Sequence, residues 1–126
     1  MTIEDYLEVM ETKMRGGIFS LVVLYMVNSA KEPIHGYAIT KGLMEGTGGR
    51  LYIQAGTIYP ILKNLINHGL IEFEMVKSHE GPPMKVYRTT KDGREALGEG
   101  MHMLVDLFQG VGMTVGKDWP ELEVRS

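Results

Sequence analysis

The sequence predicts a mainly α-helical fold with one small β-hairpin, in the order helix, helix, helix, hairpin, helix. Three observations carry this. The stretches before residue 68 place apolar residues at helical spacing. Residues 70–77 and 84–90 alternate in polarity around a loop rich in Ser, Gly and Pro. After residue 93, apolar residues recur at steps of four and three, a heptad pattern.

The first helix is expected over residues 3–14, where Ile3, Leu7, Met10 and Met14 line one side. Gly16 and Gly17 are expected to break or kink it. Residues 18–28 are apolar on nearly all sides, so this stretch predicts a helix buried by several neighbours. Lys31, Glu32 and Pro33 end it. A second helix spans 35–45, with Tyr37, Ile39 and Leu43 or Met44 available for the core. Gly46, Gly48 and Gly49 terminate it, and no Gly-Lys-Ser/Thr follows that would make them a phosphate loop.

Residues 55–67 form a third helix with Ile58, Ile61, Leu62, Leu65 and Ile66 on its apolar face. The other side offers Thr57, Tyr59, Pro60, Lys63 and Asn64. Pro60 costs no hydrogen bond if the helix starts near Gly56 or Thr57; an earlier start predicts a local bend. His68 and Gly69 close it. In the hairpin, Ile71, Phe73 and Met75 alternate with Glu72, Glu74 and Val76, and Met84, Val86 and Arg88 with Lys85, Tyr87 and Thr89. Its tip contains Pro82 and Pro83 and is therefore stiff. Thr90 is placed to cap the last helix. That helix carries the seam Leu97, Met101, Leu104, Phe108 and Val111. Its glycines, Gly98, Gly100, Gly110 and Gly112, each weaken an isolated helix by roughly 1 kcal/mol against Ala. Such a helix needs a partner surface.

The chain has 126 residues, which suits one domain with an extra helix. It has no cysteine, which removes disulfides, thiolate metal sites and cysteine nucleophiles. The longest apolar run, residues 18–27, is far short of the roughly 20 residues of a membrane span. The N-terminus is acidic, unlike a secretory signal, so a cytoplasmic location is expected. The four histidines are scattered, with none at a helical ligand spacing, and no metal or other cofactor is expected. No paired carboxylates or Ser-His-Asp arrangement suggests an enzyme.

The net charge is −3, but its distribution is uneven. Residues 35–94 carry eight basic side chains against five acids, a balance of +3, while residues 1–34 balance at −2 and residues 95–126 at −4. A basic middle between acidic flanks fits a body that faces a polyanion.

Three helices followed by a hairpin make a winged helix-turn-helix, here with a C-terminal dimerisation helix. In that arrangement the third helix enters the major groove and the hairpin, or wing, rests on the backbone. The expected division is a winged-helix DNA-binding unit over residues 1–94, a dimerisation helix over 95–113 and a tail over 114–126. Thr57, Tyr59, Lys63 and Asn64 are the groove candidates, and Lys77, Lys85 and Arg88 the phosphate candidates of the wing. Tyr59 reaches DNA or packs half-buried, and Thr57 contacts the groove or caps its helix. Tyr37 is expected to support the junction of the second and third helices, with DNA contact as the alternative, and Tyr87 to enter the core, with a backbone phosphate as the alternative. Leu97, Met101, Leu104, Phe108 and Val111, with Leu7 and Met10, are the dimerisation candidates, because one small body can hardly cover both apolar stripes; plain core packing against the first helix is the alternative for the seam.

Four blocks carry a resemblance: PIHGYAI at 33–39, GTIYPIL at 56–62, HGLI at 68–71 and GPPMKVYRTT at 81–90. Together, over about residues 18–97, they resemble the PadR family of bacterial and archaeal repressors. The resemblance implies a homodimer held largely by the last helix, binding double-stranded DNA at an inverted-repeat operator. It also implies release by a small hydrophobic or aromatic effector in some members. Two departures stand out. Gln54 and Ala55 replace a common Ser-Pro, which removes the usual helix cap. Met84 stands where an Arg is common, and Val86 precedes Tyr87 where an aromatic pair is usual. The alternative reading, from a different class, is a winged-helix module that binds protein instead of DNA.

Overall fold

Thr2 opens the first helix in the computed structural model, which describes residues 1–120. Its hydroxyl accepts from the Asp5 backbone N–H and the Asp5 carboxylate accepts from the Thr2 backbone N–H, closing a capping box. These hydrogen bonds hold the Asp5 carboxyl below the usual carboxylate range. The helix α1 (Ile3–Ser29) then runs unbroken through Gly16 and Gly17. The expected break is absent. Helix is favourable on both sides of the pair, and the local cost of two glycines is about 2 kcal/mol, which the burial of Phe19, Val23, Leu24 and Val27 one turn later can offset.

α2 (Gly36–Gly46) begins under His35, whose Nδ1 accepts from the Ala38 N–H at 3.2 Å. Gly48 and Gly49 follow with φ of 61° and 81°, the left-handed turn that only glycine enters freely. α3 (Ala55–Asn67) starts at Gln54, which gives no side-chain cap, as the missing Ser-Pro led one to expect. The start at Ala55 puts Pro60 inside the helix, where it cannot donate to the Gly56 carbonyl. His68 closes α3, and Gly69 turns the chain with φ of 71°.

The wing is an antiparallel pair, β1 (Ile71–Val76) and β2 (Met84–Thr89), in the register Ile71 to Thr89 through Val76 to Met84. Ile34 adds a further bridge to β2, exchanging both backbone hydrogen bonds with Tyr87 at 3.0 and 2.8 Å. This ties the entrance of α2 to the wing. α4 (Lys91–Val115) follows, capped as expected by Thr90, whose hydroxyl accepts from the Gly93 N–H at 3.0 Å. The same hydroxyl donates to the Gly69 carbonyl at 2.6 Å. A single 3-10 turn (Gly116–Asp118) follows α4.

One core joins these elements. Val23 and Val27 of α1, Ile39 of α2, Ile58 and Leu62 of α3, and Ile71 and Tyr87 of the wing are all buried together. Ile53, just ahead of α3, joins them. Leu97 of α4 belongs to the same cluster at 8% exposure. It was expected at the head of a dimer seam. It is instead spent within the subunit, because the Thr90 junction draws the first turns of α4 onto the base of the wing.

α1 packs against α4, α3, β2 and α2. Its residues 3–14 nevertheless leave the body and are exposed throughout. From Met101 onward α4, the other helix of this pair, does the same, with Met101, Met103, Leu107, Phe108 and Val111 open to solvent. Among the described residues no helix is long and apolar enough to cross a membrane. Of the tail expected over 114–126, residues 121–126 lie outside the described residues. Trp119, in its described part, stands edge-on to Phe108 with ring centroids 4.9 Å apart.

Candidate nucleic-acid interface

The apolar spacing of α3 settles its orientation. Ile58, Leu62 and Leu65 are buried, so Thr57, Tyr59, Lys63 and Asn64 all face out. All four expected groove residues therefore share the solvent side of one helix. Thr57 is not the cap; it sits one turn in, and its backbone N–H bonds to the Gln54 carbonyl at 2.9 Å. Lys63 has no ion-pair partner among the described residues. The cap is absent at Gln54, so no side chain from that position covers the first-turn N–H groups of α3.

Tyr59 is half-exposed, at 51%, and its ring lies over Gly36. A Cβ at Gly36 would stand 3.1 Å from Tyr59 Cε1 and 3.3 Å from its hydroxyl. Glycine at this position thus lets α2 and α3 close on each other across the tyrosine ring. One edge of the ring packs, as the half-buried reading of Tyr59 expects, and the rest stays open to solvent. Tyr37 differs from expectation. It was placed in support of the α2–α3 junction, yet it is 67% exposed and stacks beside His35 with centroids 6.4 Å apart. At the first turn of α2 it points away from the core, and Tyr59 supports the junction in its place.

An open groove of about 780 Å³ lies between the start of α2, α3 and the wing. His35, Tyr37, Tyr59, Lys63, Lys85 and Tyr87 reach it from three elements. Tyr87 is a core residue, 3% exposed, as expected. Burial pushes its phenol up, and the neighbouring Tyr59 phenol adds to the shift.

The wing separates its three expected cations. The register puts Ile71, Phe73, Met75, Lys85, Tyr87 and Thr89 on one face of the hairpin, and Glu72, Glu74 and Arg88 on the other. Lys85 lies on the groove side with its Nζ 4.5 Å from the Phe73 ring centre, a cation–π contact. Lys77 is exposed just beyond β1, at the wing tip. Arg88 is on the far face, donating from Nε to Glu72 at 2.8 Å and from Nη1 to Glu74 at 3.5 Å. The hydrogen bond to Glu72 holds its guanidinium above its ordinary range. Arg88 is thus paired within the hairpin and turned from the groove, which alternation along β2 already implied.

Sequence reasoning missed His35 as a groove residue and held Tyr37 there only as its second reading. A signal existed for His35: an acceptor-bearing side chain directly before a helix is a cap candidate. Nothing in the local pattern marks the Phe73–Lys85 contact, which depends on cross-strand pairing.

Comparison with known proteins gives the arrangement its relatives. The family described as "Transcriptional regulator PadR-like family" matches residues 23–99, from the buried half of α1 into α4. A PadR family transcriptional regulator from Eggerthella lenta shares 32% identity and superposes with a TM-score of 0.76 over 90% of this chain and 96% of its own. A PadR-like transcription factor from Bacteroides fragilis shares 32% identity, with a TM-score of 0.68 over 83% of this chain and 97% of its own. Bacillus subtilis PadR, solved in complex with operator DNA, shares the fold at 22% identity and a TM-score of 0.58, over 86% of this chain and 52% of its own. No curated protein matches the chain significantly. The matches are to regulators of transcription, not to enzymes. With its winged helix matched by the family over most of the folded body, the chain belongs to the PadR-like family of transcriptional regulators.

Proposed function

We propose that this protein is a cytoplasmic repressor that binds, as a homodimer, an inverted-repeat operator in double-stranded DNA. The observation that carries this reading is the outward side of α3. Thr57, Tyr59, Lys63 and Asn64 stand exposed on the solvent side of α3, and Tyr59 and Lys63 line a groove that the wing borders. An α-helix of this kind fits the major groove, about 12 Å wide. The B. subtilis relative was solved with operator DNA, and the shared fold lends the same docking to this chain. Lys63, Lys77 and Lys85 supply phosphate contacts, while Thr57, Tyr59 and Asn64 supply base or backbone contacts.

The dimer rests on the helices that leave the body. Leu7 and Met10 on α1, and Met101, Leu104, Phe108 and Val111 on α4, form apolar stripes with too little of their own subunit to cover them. A second copy laid antiparallel across this helix pair covers both. Two α3 helices then sit about 34–36 Å apart, one turn of duplex DNA. An apolar cleft of about 610 Å³ between α1 and α4 supports release by a hydrophobic or aromatic effector. Leu65 of α3 and Leu70 at the base of the wing line it, so a ligand there touches the DNA-facing elements directly.

The test is a titration of duplex DNA across salt concentrations. Affinity is expected to fall linearly with the logarithm of salt, and Lys63→Ala to flatten that slope by about one. Salt-independent binding, or no binding at low salt, contradicts the reading.

A further inference from the structure

The chain holds ten methionines and no cysteine, so thioethers are its only sulfur. The fold brings two of them from distant segments to one place. Met14 of α1 and Met103 of α4 both line the apolar cleft between these helices. They are 65% and 64% exposed, against 41% and 43% for Met10 and Met101 on the same two helices. Lys13 and Ser20 are the only described residues of the lining whose side chains can donate a hydrogen bond. Leu104, Phe108 and Val111 line the same cleft and also carry the apolar stripe of α4. The two thioethers therefore sit where the cleft runs into the surface that a second copy is to cover.

Resting on the dimeric DNA-binding reading above, we propose that Met14 and Met103 form an oxidation site whose sulfoxides part the dimer and so free the operator. The oxidant is a two-electron oxygen donor of the hypohalous acid class. In net balance with hypochlorous acid, the sulfur gives up two electrons and an S–O bond forms. The O–Cl bond breaks, and chloride and a proton leave. An exposed thioether is a ready target for such an oxidant, and no thiol in this chain competes with it. The product is a polar side chain in place of an apolar one. Its oxygen needs a donor, and only Lys13 and Ser20 of the described lining can offer one from a side chain. Beside Leu104, Phe108 and Val111 the oxygen holds water that a second copy must strip away, and pairing is weakened by that cost. The solvent side of α3 is untouched, so DNA is lost through the loss of the second copy. Sulfoxide reductases return the thioether, which makes the change reversible.

The experiment uses the full chain, a duplex enriched by it from a random-sequence library, and hypochlorous acid in small molar excess. Peptide mass mapping is expected to find added oxygen on Met14 and Met103 before Met10 and Met101. Sedimentation is expected to show dimer association weakened by at least about tenfold, with duplex affinity falling alongside it. The two methionine sulfoxide reductases, one for each sulfoxide epimer, are expected to restore both, whereas damage to other side chains would persist. Met14→Leu combined with Met103→Leu keeps the apolar volume without the sulfur. This double variant is expected to keep its own dimer and duplex affinities through the same treatment. Oxygen reaching Met10 and Met101 first, or oxidised Met14 and Met103 without loss of pairing, overturns the inference. So does an equal loss in the double variant, or a loss that the reductases leave in place. An untreated wild type that is monomeric, or that enriches no duplex, overturns the dimeric DNA-binding reading itself, and this inference with it.

Discussion

The body formed by α2, α3 and the wing differs sharply from the helix pair α1 and α4 that flanks it. In the body the helices and the base of the wing spend their apolar faces within the subunit: Ile39, Ile58, Leu62 and Ile71 are all at or near complete burial. Its junctions are tight, with Gly36 under Tyr59 and Gly93 against Leu70. In the flanking pair the two free ends reach past the body and keep Leu7, Met10, Phe108 and Val111 exposed. Helical glycines such as Gly16, Gly17, Gly98 and Gly110 have nothing near the place of a Cβ. The body buries its core in one copy, whereas the pair leaves apolar surface that the proposed dimer would cover. Perturbing the first should show at any protein concentration; perturbing the second should show through assembly.

The largest effect is expected at Gly93. A Cβ there would lie 1.9 Å from the Leu70 carbonyl oxygen and 2.6 Å from Thr89 Cγ2. Gly93→Ala must part α4 from the base of the wing, and a loss of about 2–4 kcal/mol is expected by denaturant titration. A change below about 0.5 kcal/mol would mean that this junction yields readily. Next comes Leu7→Glu. Leu7 stands on the part of α1 that leaves the body, so its substitution acts only through a second copy. Sedimentation is expected to show dimer association weakened by at least about tenfold in affinity, with helix content of the body retained. The smallest effect belongs to Arg88→Ala. Its ion pairs with Glu72 and Glu74 are half-exposed, so the stability cost is expected below about 1 kcal/mol. The salt slope of DNA binding should stay unchanged, because the side chain faces away from the groove.

The same contrast explains what was legible in the sequence. The faces of α3 and of the hairpin follow from spacing alone, so the placement of Thr57, Tyr59, Lys63 and Asn64 and the burial of Tyr87 could be read directly. The turning of Arg88 could have been read from the same alternation. The continuity of α1 through Gly16 and Gly17 could not, since helix propensity is weaker than the packing that follows it. The position of Leu97 was misread because a heptad seam looks the same whether its first member meets the same subunit or another. Tyr37 was misread because its neighbour Gly36, not Tyr37, makes the junction with Tyr59. Such contacts join distant segments and leave no local mark.

Two chains holding two α3 helices to one duplex is the central claim. Sedimentation equilibrium of the purified protein with an enriched duplex, repeated over a range of salt, addresses it most directly. Two protein chains per duplex, with affinity falling steadily as salt rises, is the expected result. A single chain per duplex, or an association indifferent to salt, would contradict it.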